Sequence, residues 1–406
     1  MGVRLGNGNW AVKTSKLLAY NDASGMFFNK EFDFTRATTA TRVNKSGLIE
    51  SVATNVPKID FLNDTKGYLL LEPASTNLVT YSEDFTHSSY SNQNVTLTNN
   101  SGISPQGLNN ATLINEGTAD GVHWLQPVGI VPNNANVTIS FFAKKVTRGF
   151  VTVNIYSGVD SKFIRYNIEN GSVVNSQSGV TTSVEDFGNG WFRCSYTRET
   201  AATGNPNTVV GLSNGSAQGY VGENKEILFW GLQLEQQSFA TSYIPTSGSS
   251  VTRNAETCED SGAAQDFNST EGVLYFEIAS LASVNNFESI ALSDGSNGNR
   301  HRFYFLNVSN QVVYQVQVST SNQCFFTVTT SDITAFNKIA LKYKQNDFAL
   351  WINGTEVATD SSGNVPSLSE LNFNSGDTFN DFIGKVREVR TYRTALTDSE
   401  LTALTT

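Results

Sequence analysis

Charge is scarce in this chain. Only 16% of its 406 residues are Asp, Glu, Lys or Arg, where soluble domains average about a quarter. Histidine and cysteine are scarcer, at 3 each, and methionine falls to 2. The histidines, His87, His123 and His301, are nowhere in H-x-x-x-H spacing. A His-rich metal centre or a Ser-His-Asp arrangement therefore has little support. Cys194, Cys258 and Cys324 are widely spaced, odd in number and free of any C-x-x-C. They point to neither a disulfide framework nor a zinc site, and buried free thiols are expected. No apolar run has the length of a membrane helix or of a signal-peptide core, so no membrane insertion is expected. The start, "MGVRLG", has Gly6 where a myristoylation motif needs Ser or Thr. A formal net charge of -10 disfavours a nucleic-acid groove. The small basic spot of Lys144, Lys145 and Arg148 reads as a solvated strand end.

The residues in supply favour β-structure. Hydrophobic residues make up 39% and aromatics 11%, with 26 Phe. Asn, Ser, Thr and Gly supply most of the surface. This balance suits antiparallel sheets with sizeable cores and argues against helical bundles. The expected fold is all-β: an extended N-terminal arm, two antiparallel β-sandwiches of jelly-roll type, and a short C-terminal helix.

Residues 76–250 read as the first sandwich. "VTISFFAKK", "FVTVNIY", "KFIRYNI", "WFRCSYT" and "EILFWGLQLE" are strand-like and separated by turn clusters. Their spacing suits a jelly roll with long loops. "TSYIPTSGSSVTRNAE" leads away, with a linker over 251–264. Residues 265–406 repeat the theme at shorter intervals. "FALWINGTEVA" is a hairpin turning at Asn353 and Gly354. In "FIGKVREVRTY", Ile383, Val386, Val389 and Tyr392 are apolar among charges. At the end Thr397 caps a helix, Glu400 completes the capping box, and Leu401 and Leu404 face the sandwich.

Residues 1–75 resist this pattern. "MFFNKEFDF" is apolar without a clear period, and "TRVNKSGLIESV" closes a short hairpin through Asn44 to Gly47. A segment this short does not bury its own aromatics. The expectation is an anchoring arm, docked on the first sandwich or on a partner and dispensable for folding of the sandwiches. Trp10, Phe27, Phe28, Phe32 and Phe34 would fill a groove, while Arg36 and Arg42 would fix the register through bidentate contacts.

Motifs that carry chemistry are weak. "GLSNG" matches G-x-S-x-G around Ser213, but the next residues, "SAQGYVGENKE", make a poor helix, so the match reads as chance. "GNGNWA" lacks the preceding strand of a dinucleotide site and reads as a turn. Glycoside hydrolysis requires two carboxylates across a cleft, and Glu271 and Glu277 lie in one strand-like run. The loop "SDGSNGNRHRF" gathers hard oxygen donors in Asp294, Asn297 and Asn299, a candidate Ca²⁺ site. Otherwise no cofactor is expected. Arg300 and His301 come next as candidate glycan contacts. Trp124 in "DGVHWLQP", with His123 and Asp120, is the leading candidate for stacking on a sugar. Trp191, Trp230 and Trp351 lie inside strand patterns and belong to the core.

Three segments resemble known proteins. "FDFTRATTATRVNKSGLIE" with "LLLEPASTNLVTYSEDF" resembles the N-terminal region of tailed-phage virion proteins. "WGLQLEQQSFATSYIPTSGSSVTRNA" looks like the closing strand of their carbohydrate-binding-module-like jelly roll. "FALWINGTEV" with "FIGKVREVRTYRTALTDSELTAL" is similar to the end of concanavalin A-like, laminin-G-type domains. The resemblance implies a fibre or spike on the surface of a phage head or tail. It implies a homotrimer contacting other virion proteins and host-surface glycans, with no catalytic residues. A glycan-cleaving enzyme and an architectural capsid decoration protein are the alternatives.

Overall fold

The computed structural model describes residues 3–13, 16–21, 26–283 and 287–406; over residues 19–21 and 26–31 it is the backbone pairing that is described. The chain is almost entirely antiparallel β-structure, with a single helix, Asp398–Thr405, among the described residues. No helix among them is long and apolar enough to cross a membrane. The chain divides into two units that are not consecutive in sequence.

Unit 1 comprises residues 1–39, 52–73 and 254–406. Its large sheet runs Thr257–Glu259, Met26–Thr35, Lys16–Asn21, Arg4–Gly6, Gly384–Tyr392, Glu271–Ser280, Asn337–Lys344, Phe348–Ile352 and Thr355–Asp360. Tyr68–Leu71 also pairs with Gly384–Val386. The small sheet has five strands in the order Ser321–Thr329, Gln311–Val318, Arg300–Phe305, Ser289–Ser293 and Glu370–Asn372. Both sheets bury one face in a shared core that includes Leu17, Phe32, Phe276, Phe303, Tyr314 and Leu350.

The N-terminal segment is thus part of the unit that also holds the chain's C-terminal half. Residues 1–39 and 52–73 are integral to unit 1 rather than a separate arm, while residues 40–51 belong to the unit formed by the first sandwich. Phe32 and Phe34 are 0% and 1% exposed, and the Phe32 ring lies 5.3 Å from that of Phe373. The aperiodic look of "MFFNKEFDF" has a physical source. Its strand is flanked on both edges, by Lys16–Asn21 and by Thr257–Glu259, and a register shift interrupts the first pairing between Leu18 and Tyr20. The expected linker over 251–264 is likewise paired: Val251–Arg253 lies beside Ser75–Asn77, and Cys258 is in the core.

The strand Gly384–Tyr392 explains its own irregular spacing. Val389 pairs with Phe276 and Val386 with Ile278, with the register slipping at Arg387 between them. This β-bulge lets two residues three apart face the same core. The peptide carbonyl of Arg387 accepts the Asn7 N–H at 2.7 Å. A Cβ on Gly6 would stand 2.1 Å from that oxygen, and Gly6 has φ +90, so only glycine fits there. The helix is capped as expected: Glu400 N–H donates to the Thr397 hydroxyl and Thr397 N–H to the Glu400 carboxylate. Leu401 is buried among Val273, Tyr275, Ala340 and Trp351.

Unit 2 comprises residues 40–51 and 74–253. Two six-stranded sheets form it. One runs Tyr90–Gln93, Trp124–Pro127, Asn207–Ser213, Phe150–Tyr156, Ile164–Asn167 and Ser172–Val173; the other centres on Glu226–Glu235 between Asn109–Asn115 and Asn136–Lys145. Ile139, Phe141, Val153, Tyr166, Tyr196 and Phe229 lie between them. The hairpin expected through Asn44 to Gly47 is present, with strands Ala40–Val43 and Ile49–Val52 and the Gly47 N–H donating to Asn44 O at 2.9 Å. Arg148 is not a solvated strand end. It is buried, and its guanidinium pairs with Glu116. All three cysteines are free and buried.

Candidate functional site

Strand alternation in the small sheet separates two faces. His301, Phe303 and Phe305 alternate inward, as do Val312, Tyr314 and Val316. The residues between them point outward, because successive side chains on a strand take opposite faces. Register then builds rows across the sheet. One runs from Asn372 through Ala291, Arg302 and Gln315 to Phe325. Beside it lie Glu370, Ser293, Arg300 and Gln317. Tyr304, two residues from Arg302, extends the face. Planar amides, guanidinium groups and aromatic rings thus share one face. Its Asn372–Ser293 side is covered: Asn372, Ala291 and Ser293 are buried, and a Cβ on Gly376 would stand 3.1 Å from Ser293 Cβ and 3.5 Å from Ala291 Cβ. The face opens toward Gln317 and Phe325.

Hydrogen bonds hold these groups in place. Arg300 Nε donates to Gln317 Oε1 at 3.0 Å, and its Nη1 to the carbonyl of Ser375. Arg302 Nε donates to Ser289 Oγ at 2.8 Å and Nη2 to the Phe287 carbonyl at 3.1 Å. The Arg302 guanidinium lies 4.2 Å from the centre of the Tyr304 ring. Gln315 Nε2 donates to Asn322 Oδ1, and Asn372 Nδ2 to Glu370 Oε1, both at 2.8 Å. Burial pushes the Arg302 pKa down to about 10, helped by the like charge of Arg300. Arg300 is lowered by burial as well, with Asp377 acting in the opposite direction. Burial also raises the Glu370 carboxyl, and Asp260 and Asp294 add to it.

Of the residues singled out from sequence, Arg300 belongs to this face. His301 does not. It is fully buried, its Nδ1 lies 2.9 Å from the Tyr314 hydroxyl, and burial holds its pKa down at about 3. The strand's period of two sends neighbours to opposite sides, so the pair is split. The oxygens considered for Ca²⁺ are engaged in local hydrogen bonds. Asp294 Oδ1 accepts from the N–H and hydroxyl of Ser296, Asp294 Oδ2 from Asn299, and Asn299 Oδ1 from the Ser319 N–H. Asn297 is exposed at the tip. No group of three His, Cys, Asp or Glu residues converges as a metal site among the described residues.

In unit 2, Trp124 is half-buried and pairs with Gln93 on one side and Gly211 on the other, in a row that continues to Thr152 and Arg165. Leu125, its neighbour, points into the core. A Cβ on Gly211 would meet the His123 carbonyl oxygen at 2.1 Å, so the backbone beside the indole stays bare. His123 is buried, with its ring nitrogens 3.0 Å from Asn94 O and 3.1 Å from Tyr220 O. It is not available to a ligand. Asp120 is exposed, in a short ladder with Val221. Trp191, Trp230 and Trp351 are buried.

The anchoring residues are placed differently from one another. Trp10 donates its indole N–H to the carbonyls of Lys66 and Gly67 and rests on the unit 1 core. Phe32, Phe34 and Arg36 are buried, so they offer nothing to a partner. Arg42 pairs with Glu50 at 2.8 Å within the hairpin. The side chains of Phe27 and Phe28 lie outside the described residues. Sequence reasoning missed Arg302, Tyr304, Gln315, Gln317 and Phe325. The signal was there: "RHRFYF" and "QVVYQVQV" both alternate, and their outward positions are mostly polar or aromatic.

Residues 279–402 match the Laminin_G_3 model, described as the concanavalin A-like lectin/glucanases superfamily. That stretch supplies the whole small sheet. No curated protein matches the chain. Among solved structures, the CBM40 of Ruminococcus gnavus IT-sialidase bound to α2,3-sialyllactose is 16% identical, with a TM-score of 0.30 over 36% of this chain and 94% of that one. Domain 4 of AbnA, a GH43 extracellular arabinanase from Geobacillus stearothermophilus, in complex with arabinotriose, is 15% identical, with a TM-score of 0.30 over 37% of this chain and 73% of that one. Domains LG4-5 of the mouse laminin α1 chain are 9% identical, with a TM-score of 0.24 over 66% of this chain and 89% of that one.

Proposed function

We propose that this chain is a glycan-binding protein and that its concanavalin A-like unit binds saccharide on the outward face of the small sheet. The strip from Arg302 through Gln315 to Phe325 carries the proposal. Sugars present neighbouring hydroxyls that suit planar, two-pronged groups, and C–H faces that suit aromatic rings. Gln315, Gln317 and the two arginines supply the first, and the exposed Phe325 ring the second. The polar groups are already held by hydrogen bonds, so little side-chain freedom is lost on binding.

The proposal is for binding without turnover. The acids noted in sequence are engaged in ion pairs: Glu271 with Lys344 at 3.2 Å and Glu277 with Arg387 at 3.0 Å. The setting we propose is the surface of a phage particle, with the chain as a trimer among other virion proteins. Its support is the resemblance of the three segments. An anchor to the particle, however, has to lie outside Phe32, Phe34 and Arg36, which are internal to unit 1.

A glycan array followed by calorimetric titration of the intact chain tests the function. Binding that is weakened by Gln315→Ala or Phe325→Ala supports it. Release of reducing ends from a bound polysaccharide would favour the enzyme, and an array without any binding the architectural role.

A further inference from the structure

The small-sheet face carries positive charge that a neutral sugar does not need. Arg300 and Arg302 are only 8% and 9% exposed. Two residues apart on one strand, their Cα atoms are about 7 Å apart and their side chains share a face. Neither forms an ion pair among the described residues; every hydrogen bond of their guanidinium groups goes to an amide, hydroxyl or carbonyl oxygen. Elsewhere, buried arginines meet carboxylates: Arg36 with Glu256, Arg148 with Glu116 and Arg198 with Asp160. Arg193 lacks one too, but it stands singly, over the Phe142 ring. Arg300 and Arg302 are two adjacent guanidinium groups that share one nearby acid, Asp377, and form a hydrogen bond with no carboxylate. Arginine does not deprotonate in proteins, and a buried charge without a counter-ion is costly. Asp377 attracts both, but its single negative charge offsets only one of the two guanidinium charges, and its carboxylate is hydrogen-bonded to the Ser375 hydroxyl rather than to either arginine.

Each arginine also keeps one end free. Arg300 Nη2 and Arg302 Nη1 make no hydrogen bond within the described residues, and neither is among the polar atoms sealed from solvent without a partner. Two cationic N–H donors are therefore presented, unengaged, from the same face as Gln315 and Phe325.

We infer that the saccharide bound on this face is acidic, and that its carboxylate or sulfate oxyanion is received by Arg300 Nη2 and Arg302 Nη1. The inference rests on the glycan-binding reading and names the ligand class. Gln315, Gln317 and Phe325 take the sugar ring, and the arginines take its charge.

The test uses the intact chain and matched saccharide pairs: oligogalacturonate against its methyl ester, sialyllactose against lactose, and sulfated against unsulfated galactan. The acidic member of at least one pair should bind about tenfold or more tighter, the range of charge-assisted hydrogen bonds. The pair showing it separates carboxylate from sulfate, and either supports the inference. Arg300→Gln and Arg302→Gln should each abolish the preference, and Arg302→Lys should restore part of it. Should a glutamine variant unfold, salt titration of the unaltered chain decides, because a preference that does not weaken between about 50 and 500 mM salt overturns the inference. Equal binding of both members of every pair, weakened by Phe325→Ala, also overturns it and leaves the glycan reading standing. No binding of any saccharide defeats both.

Discussion

Arg36 and Glu256, 220 residues apart in sequence, form an ion pair at 2.7 Å with both side chains fully buried. The guanidinium is saturated. Nε donates to Thr38 O, Nη1 to Val56 O and Glu256 Oε1, and Nη2 to Val52 O and Ala53 O. That accounts for all five donors of an arginine. Glu256 Oε2 in turn lies 3.2 Å from Lys58 Nζ and accepts the Glu72 N–H at 3.0 Å. Removing one member of such a buried pair leaves a charge without its partner. Glu256→Ala should therefore destabilise unit 1 by about 3–5 kcal/mol, seen as a lowered midpoint in calorimetry of the intact chain. A loss within about 0.5 kcal/mol, the size of an ordinary surface change, would refute this account of the pair.

The same relationship reverses the outcome expected for truncation. Deleting residues 1–39 removes the strands Arg4–Gly6, Lys16–Asn21 and Met26–Thr35 from the large sheet. It also takes Leu5, Leu17, Phe32 and Phe34 out of the core, each contributing roughly 1.5–3 kcal/mol. The truncated chain should lose the unit 1 unfolding transition and expose residues 254–406 to proteolysis. An unchanged transition would restore the idea of a dispensable arm.

How far this was legible in sequence depended on the range of the interactions. The helix cap at Thr397 and Glu400, the hairpin at Asn44 and the turn at Asn353 are set by neighbours in the chain, and the residues announce them. Burial of the tryptophans in strand patterns was equally plain. What pairs with Phe34 was not, because its partner is Cys258, across the whole of unit 2 in sequence. The candidate site failed for a related reason. Arg300 sits at the end of a loop-like string of Asp, Asn and Gly, which drew attention to the loop. The proposed grouping lies across strands, through Arg302, Gln315 and Phe325, and that register is a tertiary fact.

Acidity offers a test of two groups in unit 1, the half-buried Asp381 and the buried His301. Burial, with Glu259 nearby, raises the Asp381 carboxyl to about 6 from 3.8, and its Oδ1 has no hydrogen-bond partner. A carboxyl raised in the folded state holds a proton that the unfolded chain does not, so stability rises as pH falls from about 6 toward 3.8. Burial moves His301 the other way, from 6.5 down to about 3. The unfolded chain then takes up the proton first, and stability falls as pH drops below 6.5. Over their shared window the two effects oppose. Asp381→Asn should raise the melting temperature at pH 7.5 and steepen its decline through that window. A variant whose pH profile runs parallel to that of the unaltered chain would show that Asp381 is not held as described.

The last test asks which unit meets the sugar. Phe325 is 49% exposed on the small sheet, so removing its ring disturbs little of the fold. Phe325→Ala should leave the melting temperature nearly unchanged, since an exposed side chain contributes within about 0.5 kcal/mol. It should weaken glycan binding by about 2- to 10-fold, the value of one aromatic contact. Trp124 is the natural control, because it stands on the other unit, beside the bare backbone of Gly211. Trp124→Ala should leave the affinity for the same glycan unchanged in calorimetric titration. The opposite pattern, with Trp124 essential and Phe325 silent, would move the binding site to unit 2 and leave the arginine pair of unit 1 without a role in it.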